Sequence, residues 1–348
     1  MASRGARAGR GPGSRGNLEP AGGEAPPTVP RLPRAPRLPR RVAPRQRVPV
    51  ASAAAAEAAA ALATGNGKAS IAGRARSAGR AAADNRARPI GVFDSGIGGL
   101  TVLKALVELL PHEDFIYLGD TARLPYGTKS REVIVQYSRE NTGFLLAKGI
   151  KMLVVACNTA SAVALDDIAR ETMVPVAGVI EPGAHAALRA TRSGKIGVIG
   201  TEATIASGAY TRALQRMRPG VEIYTRPCPL LVPLVEEGWT EGEVAERTVA
   251  YYLESLKQSG IDTLLLGCTH YPLLSAMFAR VLGGGVRLVD SATATAAAVH
   301  KRLGTLELAR RDGRGAQSFF VTETPDRFIR VGRRFLGPQV DSAVRIER

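Results

Sequence analysis

Beyond Pro89 the chain alternates short apolar runs, many of them β-branched, with longer stretches that are apolar on one face only. The short runs are IGVF (90–93), FIYL (115–118), KMLVVA (151–156), VPVAGV (174–179), KIGVIG (195–200), DTLLLG (262–267) and VRLV (286–289). Their length and their Val and Ile content predict strands. Between them, LTVLKALVELL, EVIVQYSRENTGFLLAKG and ALDDIAR place apolar residues at roughly the 3.6-residue period of an amphipathic helix. Strand alternating with helix predicts βαβ units and mostly parallel pairing.

The pattern also repeats. PIGVFDSG (89–96) returns as KIGVIGTE (195–202), 106 residues on, and KMLVVACNTASA (151–162) returns as DTLLLGCTHYPL (262–273), 111 residues on. Chance similarity of apolar runs would account for the first pair alone. It does not account for a cysteine ending both copies of the second. The fold class expected is therefore α/β, with two pseudo-symmetric domains, mostly parallel sheets, and an active site in the cleft between them. The expected boundaries are 90–182 with about 292–348 for the first domain and 183–291 for the second.

Charge changes the picture only at the front of the chain. The net charge is +16, but residues 1–89 hold 17 Lys and Arg against 4 Asp and Glu, leaving 30 against 27 for the rest. The basic character belongs to this extension, and the body carries no nucleic-acid footprint. The extension has almost nothing to bury, and its prolines, as in RLPRAPRLPRRVAPRQRVP, block helix. A solvated, disordered extension is expected, with a transit peptide or a nucleic-acid arm as alternatives. It has no continuous apolar segment of a secretory signal, and no stretch is long and apolar enough to span a membrane. Three well-separated cysteines, Cys157, Cys228 and Cys268, form neither a disulfide framework nor a zinc spacing. They fit a reducing cytoplasm.

In an open parallel sheet, ligands bind beyond the carboxyl ends of the strands. Polar clusters stand there: Asp94-Ser95-Gly96, Asp120 with Pro125-Tyr126-Gly127, Cys157-Asn158-Thr159, Gly200-Thr201 and Cys268-Thr269-His270. A cysteine at a strand end is ordinarily a small buried hydrophobe, and Cys228, within CPLLVPLV, is read that way. Cys157 and Cys268 differ. Each is followed by hydroxyl or amide side chains and then by a helix start, a setting expected to lower a thiol pKa. Two opposed thiols suit a reaction that takes a proton from one face of a carbon and returns one to the other. Gly96–Gly99 could open a dinucleotide fingerprint with Asp120 as its ribose acid, but the third glycine is missing and Asp94 would set a carboxylate against the pyrophosphate. The turn is read instead as a binder of a small zwitterion, with Ser95 and backbone N–H groups as donors and Asp94 meeting the ammonium or assisting a thiol. His270, two residues past Cys268, is either a helix-start cap or a partner of the thiolate. Glu236 and Glu237 are equal candidates for an acid at the end of LLVPLVE, while the charge run EEGWTEGEVAER reads as solvated surface. Tyr126 is either a plain turn aromatic or a hydroxyl contact to a carboxylate.

Taken together, GVFDSGIGGLTVL, LGDTARLPYGTKS, VVACNTASAVALDD, VIGTEATIASGAY, CPLLVPLVEEG and LLLGCTHYPLL resemble the consecutive motifs of the bacterial glutamate racemases, over essentially all of 90–348. The pairing of CNT with GCTH is highly specific. The resemblance implies cofactor-independent interconversion of L- and D-glutamate for peptidoglycan, with Cys157 and Cys268 as the proton donors and acceptors. It implies that Cys157 acts on the D-isomer and Cys268 on the L-isomer. By the same resemblance Asp94, Ser95, Tyr126, Gly127, Asn158, Thr159, Thr269 and His270 contact substrate, and Asp94, Glu236 and His270 assist the thiols. No metal and no cofactor are expected; glutamate is the expected partner, and a homodimer is compatible. The 89-residue extension departs from the family pattern. A racemase for aspartate or another acidic amino acid is the alternative within the class. Binding of nucleic acid or a partner through the basic tail is the alternative outside it.

Overall fold

The computed structural model describes residues 85–347, which belong to one compact unit. Most of the extension, residues 1–84, lies outside the described residues, and with it the expectation made for that segment. In chain order the strands are β1 (Ile90–Asp94), β2 (Phe115–Gly119), β3 (Met152–Val155), β4 (Val176–Gly178), β5 (Lys195–Gly200), β6 (Glu222–Pro227), β7 (Thr263–Gly267), β8 (Arg287–Asp290), β9 (Gln317–Val321) and β10 (Val344–Arg345). The helices are α1 (Leu100–Leu109), α2 (Arg131–Ala147), α3 (Asn158–Val163), α4 (Leu165–Glu171), α5 (Ile180–Ala190), α6 (Glu202–Ala206), α7 (Ala209–Met217), α8 (Leu231–Glu237), α9 (Gly242–Gln258), α10 (Ser275–Leu282), α11 (Ala292–Thr305) and α12 (Pro325–Leu336).

The strands form two sheets, ordered β10-β9-β2-β1-β3-β4 and β6-β5-β7-β8. All the pairings are parallel. The shared part of the two orders is the same: β2-β1-β3-β4 matches β6-β5-β7-β8 strand for strand. This is the repeat read from the sequence, with β5 copying β1 and β7 copying β3. The α/β class with two mostly parallel sheets therefore holds.

Alternation within the strands shows why. Met152, Val154 and Ala156 face one apolar cluster, while Leu153, Val155 and Cys157 face another. A parallel strand covered by helices on both sides has no polar face, so its sequence runs continuously apolar. The larger cluster is shared by both halves: it takes in Ile90 and Val92 of β1 and also Ile196, Val198 and Leu265 of the second sheet. Helix α11, which follows the second sheet, packs on α1 of the first.

Strand order also locates the crevices. From β1 the chain goes to β2 on one side, and from β3 to β4 on the other, so the direction reverses between β1 and β3. The equivalent reversal lies between β5 and β7. Ligand sites form beyond the carboxyl ends of strands at such reversals. Asp94 and Cys157 end the first pair; Thr201 and Cys268 end the second.

Three strands were not legible in the hydrophobic pattern. β6 is a half-exposed edge strand, EIYTRP, and β10 is only two residues long. β9, QSFFV, is paired between β2 and β10 far from them in sequence.

At the amino ends of the strands, Lys151 and Glu113 form an ion pair with side chains only 1% and 2% exposed. Lys151 also donates to the Arg86 carbonyl at 2.6 Å, so residues ahead of Pro89 touch the folded body. Glu113 accepts from the Arg310 backbone N–H at 2.8 Å. Burial pushes the Lys151 pKa down, and Glu113 offsets part of that. Removing one partner of a buried pair strands the other charge. Lys151→Met is expected to lower stability by about 3–5 kcal/mol, read as a shift in the urea midpoint. A loss below about 1 kcal/mol would show that Glu113 finds water or another partner once Lys151 is gone.

Candidate active site

Asp94 ends β1 fully buried, and its carboxylate accepts the Gly96 backbone N–H at 2.8 Å. The hydroxyl of Thr269, from the loop after β7, stands 3.5 Å from its other oxygen. Burial pushes the Asp94 pKa up. The His270 charge and the N–H groups of Gly96 and Gly99 pull it back, and Glu236 adds a smaller upward push. Two glycines, Gly98 of this turn and Gly127, permit close approach across the halves. A Cβ on Gly98 would collide with His270 and Thr269, and one on Gly127 would stand 2.6 Å from Thr201 Cβ. That steric demand, rather than a pyrophosphate, explains the glycines.

Cys157 occupies the N-cap of α3 and accepts the Ala160 N–H at 3.5 Å. Its thiol donates to Ser95 Oγ, also at 3.5 Å. The expected lowering of its pKa does not occur. Burial pushes the thiol up to about 12, with the Asp94 carboxylate adding to the rise and the Ser95 and Ala160 hydrogen bonds opposing it. Desolvation of a thiolate outweighs one turn of helix.

Cys268 follows β7. The segment after it opens as a short 3-10 turn, Tyr271–Leu274, before α10 begins, so it does not sit directly on an α-helix start as the sequence suggested. Its Sγ is 3.8 Å from His270 Nδ1. His270 Nε2 is 3.1 Å from Glu236 Oε1, and Arg327 Nη2 holds the other Glu236 oxygen at 3.0 Å. Burial pushes the imidazole pKa down, but hydrogen bonds and charge from Cys268 and Glu236 more than reverse this, raising it to about 10. Glu236 is itself held low by His270 and Arg327 against its desolvation. The two candidate acids now separate: the Glu236 side chain is 10% exposed and that of Glu237 is 69% exposed. Glu236 is the exception within a charge run read as solvated surface.

Asn158 and Thr159 open α3. Asn158 Oδ1 accepts the Tyr210 hydroxyl at 2.6 Å, while Nδ2 is buried with no hydrogen-bond partner among the described residues. Thr159 Oγ1 lies 2.9 Å from Thr201 Oγ1 and 3.1 Å from Thr204 Oγ1, joining the two halves through hydroxyls. The Tyr126 hydroxyl does meet a carboxylate, but an internal one: it donates to Asp120 and accepts from Asn141 at 3.0 Å. Asp120 also holds Arg123 and accepts Thr322 Oγ1 at 3.1 Å, which fixes the loop that carries Gly127. Gly127, Thr201 and Glu236 line a cavity of about 280 Å³ together with Leu124, Pro125 and Val232; neither thiol is on its wall.

The structure thus brings Asp94, Ser95, Cys157, Thr269, His270, Cys268 and Glu236 into one chain of contacts, with Asn158 and Thr159 at the same strand ends. Cys228 is buried apart, its thiol pushed up to about 12 by burial. Arg327, Thr204 and Tyr210 were missed by sequence reasoning. The last two lie inside the motif VIGTEATIASGAY, whereas Arg327 stands 91 residues from Glu236 with no local signal. Among the described residues no group of three or more His, Cys, Asp or Glu could hold a metal ion. No helix there is long and apolar enough to cross a membrane.

A histidine whose pKa is raised on folding stabilises the protein while it is protonated. That contribution is full below the ordinary value near 6.5 and is lost as pH rises through about 10. The thermal midpoint of the wild type relative to His270→Asn is therefore expected to fall between pH 6.5 and 10. A constant difference across that window would mean that the imidazole is not charged in the folded state.

The sequence matches the Asp/Glu/Hydantoin racemase family over residues 90–299. A glutamate racemase of Geobacter metallireducens is 54% identical over 260 residues, covering 74% of this chain and 96% of the relative. Among solved structures, glutamate racemase from Thermus thermophilus in complex with beta-chloro-D-alanine superposes with a TM-score of 0.69 at 47% identity, covering 75% of this chain and 98% of that one. The Francisella tularensis glutamate racemase in complex with D-glutamate gives a TM-score of 0.71 at 38% identity, covering 75% of this chain and 98% of that one. The family match takes in both thiols and every motif of the site, and the chain belongs to the Asp/Glu/hydantoin racemase family.

Proposed function

We propose that this protein interconverts L- and D-glutamate with two thiols and no cofactor, supplying D-glutamate for peptidoglycan. The observation that carries the reading is the placement of Cys157 and Cys268 at equivalent strand ends of two sheets with the same strand order. The relatives at high identity are glutamate racemases. The site lies between a first domain, 90–182 with about 292–348, and a second, 183–291. Three free thiols fit a cytoplasmic setting.

The α-proton of a zwitterionic amino acid is very weakly acidic, so a thiolate alone does not explain its removal. The surroundings must favour the carbanion-like transition state through oriented donors and exclusion of water. The unpartnered Asn158 Nδ2, with Ser95, Thr159 and Thr269, supplies donors for a substrate carboxylate. Asp94 meets the ammonium group. Tyr126 acts by holding the loop that brings Gly127 to the substrate.

One thiol enters as thiolate and the other as thiol. The Cα–H bond breaks, its proton goes to the thiolate, and the electron pair stays on carbon. The second thiol then gives its proton to the opposite face and leaves as thiolate. Product of the other hand is released with the two sulfurs exchanged in role. Following the family resemblance, Cys268 takes the proton from L-glutamate and Cys157 from D-glutamate. His270, held by Glu236, balances charge beside Cys268.

Cys157→Ser and Cys268→Ser are each expected to reduce racemisation by more than about hundredfold, since each removes a base in one direction and an acid in the other. Cys228→Ser should retain most activity. Polarimetry with D- and L-glutamate, with no cofactor and with EDTA present, measures this directly. Full activity in either of the first two variants overturns the two-thiol reading. Faster turnover of aspartate than glutamate overturns the substrate.

A further inference from the structure

The Tyr210 side chain spans the distance between the two thiol-bearing loops. It rises from α7 in the second half and is buried. One edge of its ring lies against the backbone at Gly267, the residue before Cys268: a Cβ added there would stand 3.0 Å from Tyr210 Cε2. Its hydroxyl reaches the first half and donates to Asn158 Oδ1, next to Cys157, at 2.6 Å. Space for that hydroxyl depends on Gly183, where a Cβ would stand 3.3 Å from it.

The hydroxyl is the donor in this hydrogen bond and the amide oxygen the acceptor. Tyr210 thus places its one proton on Asn158. An amide can turn either its carbonyl or its NH₂ to a neighbour, and a donor forces the carbonyl. The Asn158 NH₂ is thereby turned away from Tyr210, and it is buried with no hydrogen-bond partner among the described residues. A buried donor left open in this way calls for an acceptor supplied from outside the chain.

We propose that Tyr210 is a positioning residue for racemisation: through its hydroxyl it locks the Asn158 amide with the NH₂ presented to the substrate carboxylate, and through its ring it sets the separation of the Asn158 and Gly267 loops. The proposal rests on Asn158 being a substrate contact, as read above. It makes carboxylate recognition in the first half dependent on a side chain of the second. A substrate donor is then correctly oriented only while the two halves are in register.

Steady-state kinetics with glutamate on the full chain test this, using Tyr210→Phe, Asn158→Ala and the double variant. Tyr210→Phe keeps the ring and removes only the hydroxyl. It is expected to raise KM roughly tenfold, the size of one hydrogen bond, with kcat changed less than about threefold. In the Asn158→Ala background the same substitution should change KM by less than about twofold, because the group it acts through is gone. A purely structural tyrosine would lower the melting temperature and leave this dependence absent. An unchanged KM in Tyr210→Phe while Asn158→Ala raises it overturns the proposal alone. So does a full additional rise in the double variant. An unchanged KM in Asn158→Ala overturns both the proposal and the reading of Asn158. Should Tyr210→Phe not fold, Gly183→Ala places a Cβ 3.3 Å from the hydroxyl and displaces it from Asn158. It is expected to raise KM a few-fold, and wild-type kinetics there overturn the proposal.

Discussion

Burying the Asp94 carboxylate at the end of a central strand is the constraint around which the rest is arranged. A carboxylate removed from water is costly unless it gains hydrogen bonds and opposite charge nearby. Two backbone N–H groups of the glycine turn provide the first, and His270 from the other half provides the second. His270 can approach only because Gly98 has no side chain. Its charge is favoured by Cys268 and by Glu236 behind it, which is anchored in turn by Arg327 from α12. Each of these groups comes from a different stretch of sequence. The charges of Asp94, His270 and Glu236 act on one another, and the two halves meet where those charges do.

This dependence also separates what could be read in the sequence from what could not. Strands such as IGVF and TLLLG are buried by helices on both sides, and their continuous apolar runs carry their own signal. Matching cysteines at the ends of KMLVVA and DTLLLG exposed the repeat, and the sheets repeat in the same order. Glu236 could not be distinguished from Glu237 by local pattern, because one residue step, about 100° around the helix axis, decides which of them points inward. Arg327 and Thr322 reach Glu236 and Asp120 from far along the chain, and nothing near them in sequence marks them. The pKa of Cys157 was misjudged for a related reason. Helix-start geometry is local and visible, whereas the depth of burial and the nearby carboxylate are tertiary facts.

The two halves share a strand order but differ where it counts chemically. The residue after β2 is Asp120, and the residue after β6 is Cys228, each donating its backbone N–H to the end of the neighbouring central strand. In the first half the acid organises Arg123, Tyr126 and Thr322 into a rigid loop. In the second, the buried thiol donates to the Arg226 carbonyl at 3.5 Å. The catalytic positions differ in the same sense. Cys157 has a carboxylate and a hydroxyl for neighbours, while Cys268 has an imidazole.

That inequality bears on how a symmetric reaction runs in an asymmetric site. With its pKa pushed up to about 12, Cys157 keeps its proton at neutral pH, and His270 keeps a positive charge beside Cys268 up to about pH 10. On the two-thiol reading the two sulfurs therefore differ: Cys157 is held as an acid, while Cys268 has a positive charge beside it. The two hands of substrate use that pair in opposite senses. A racemase has an equilibrium constant of one between its enantiomers, so such a bias cannot alter the ratio of kcat/KM values. It can only divide kcat and KM differently for the two hands, and this is where the unequal neighbours of the two cysteines must leave their mark.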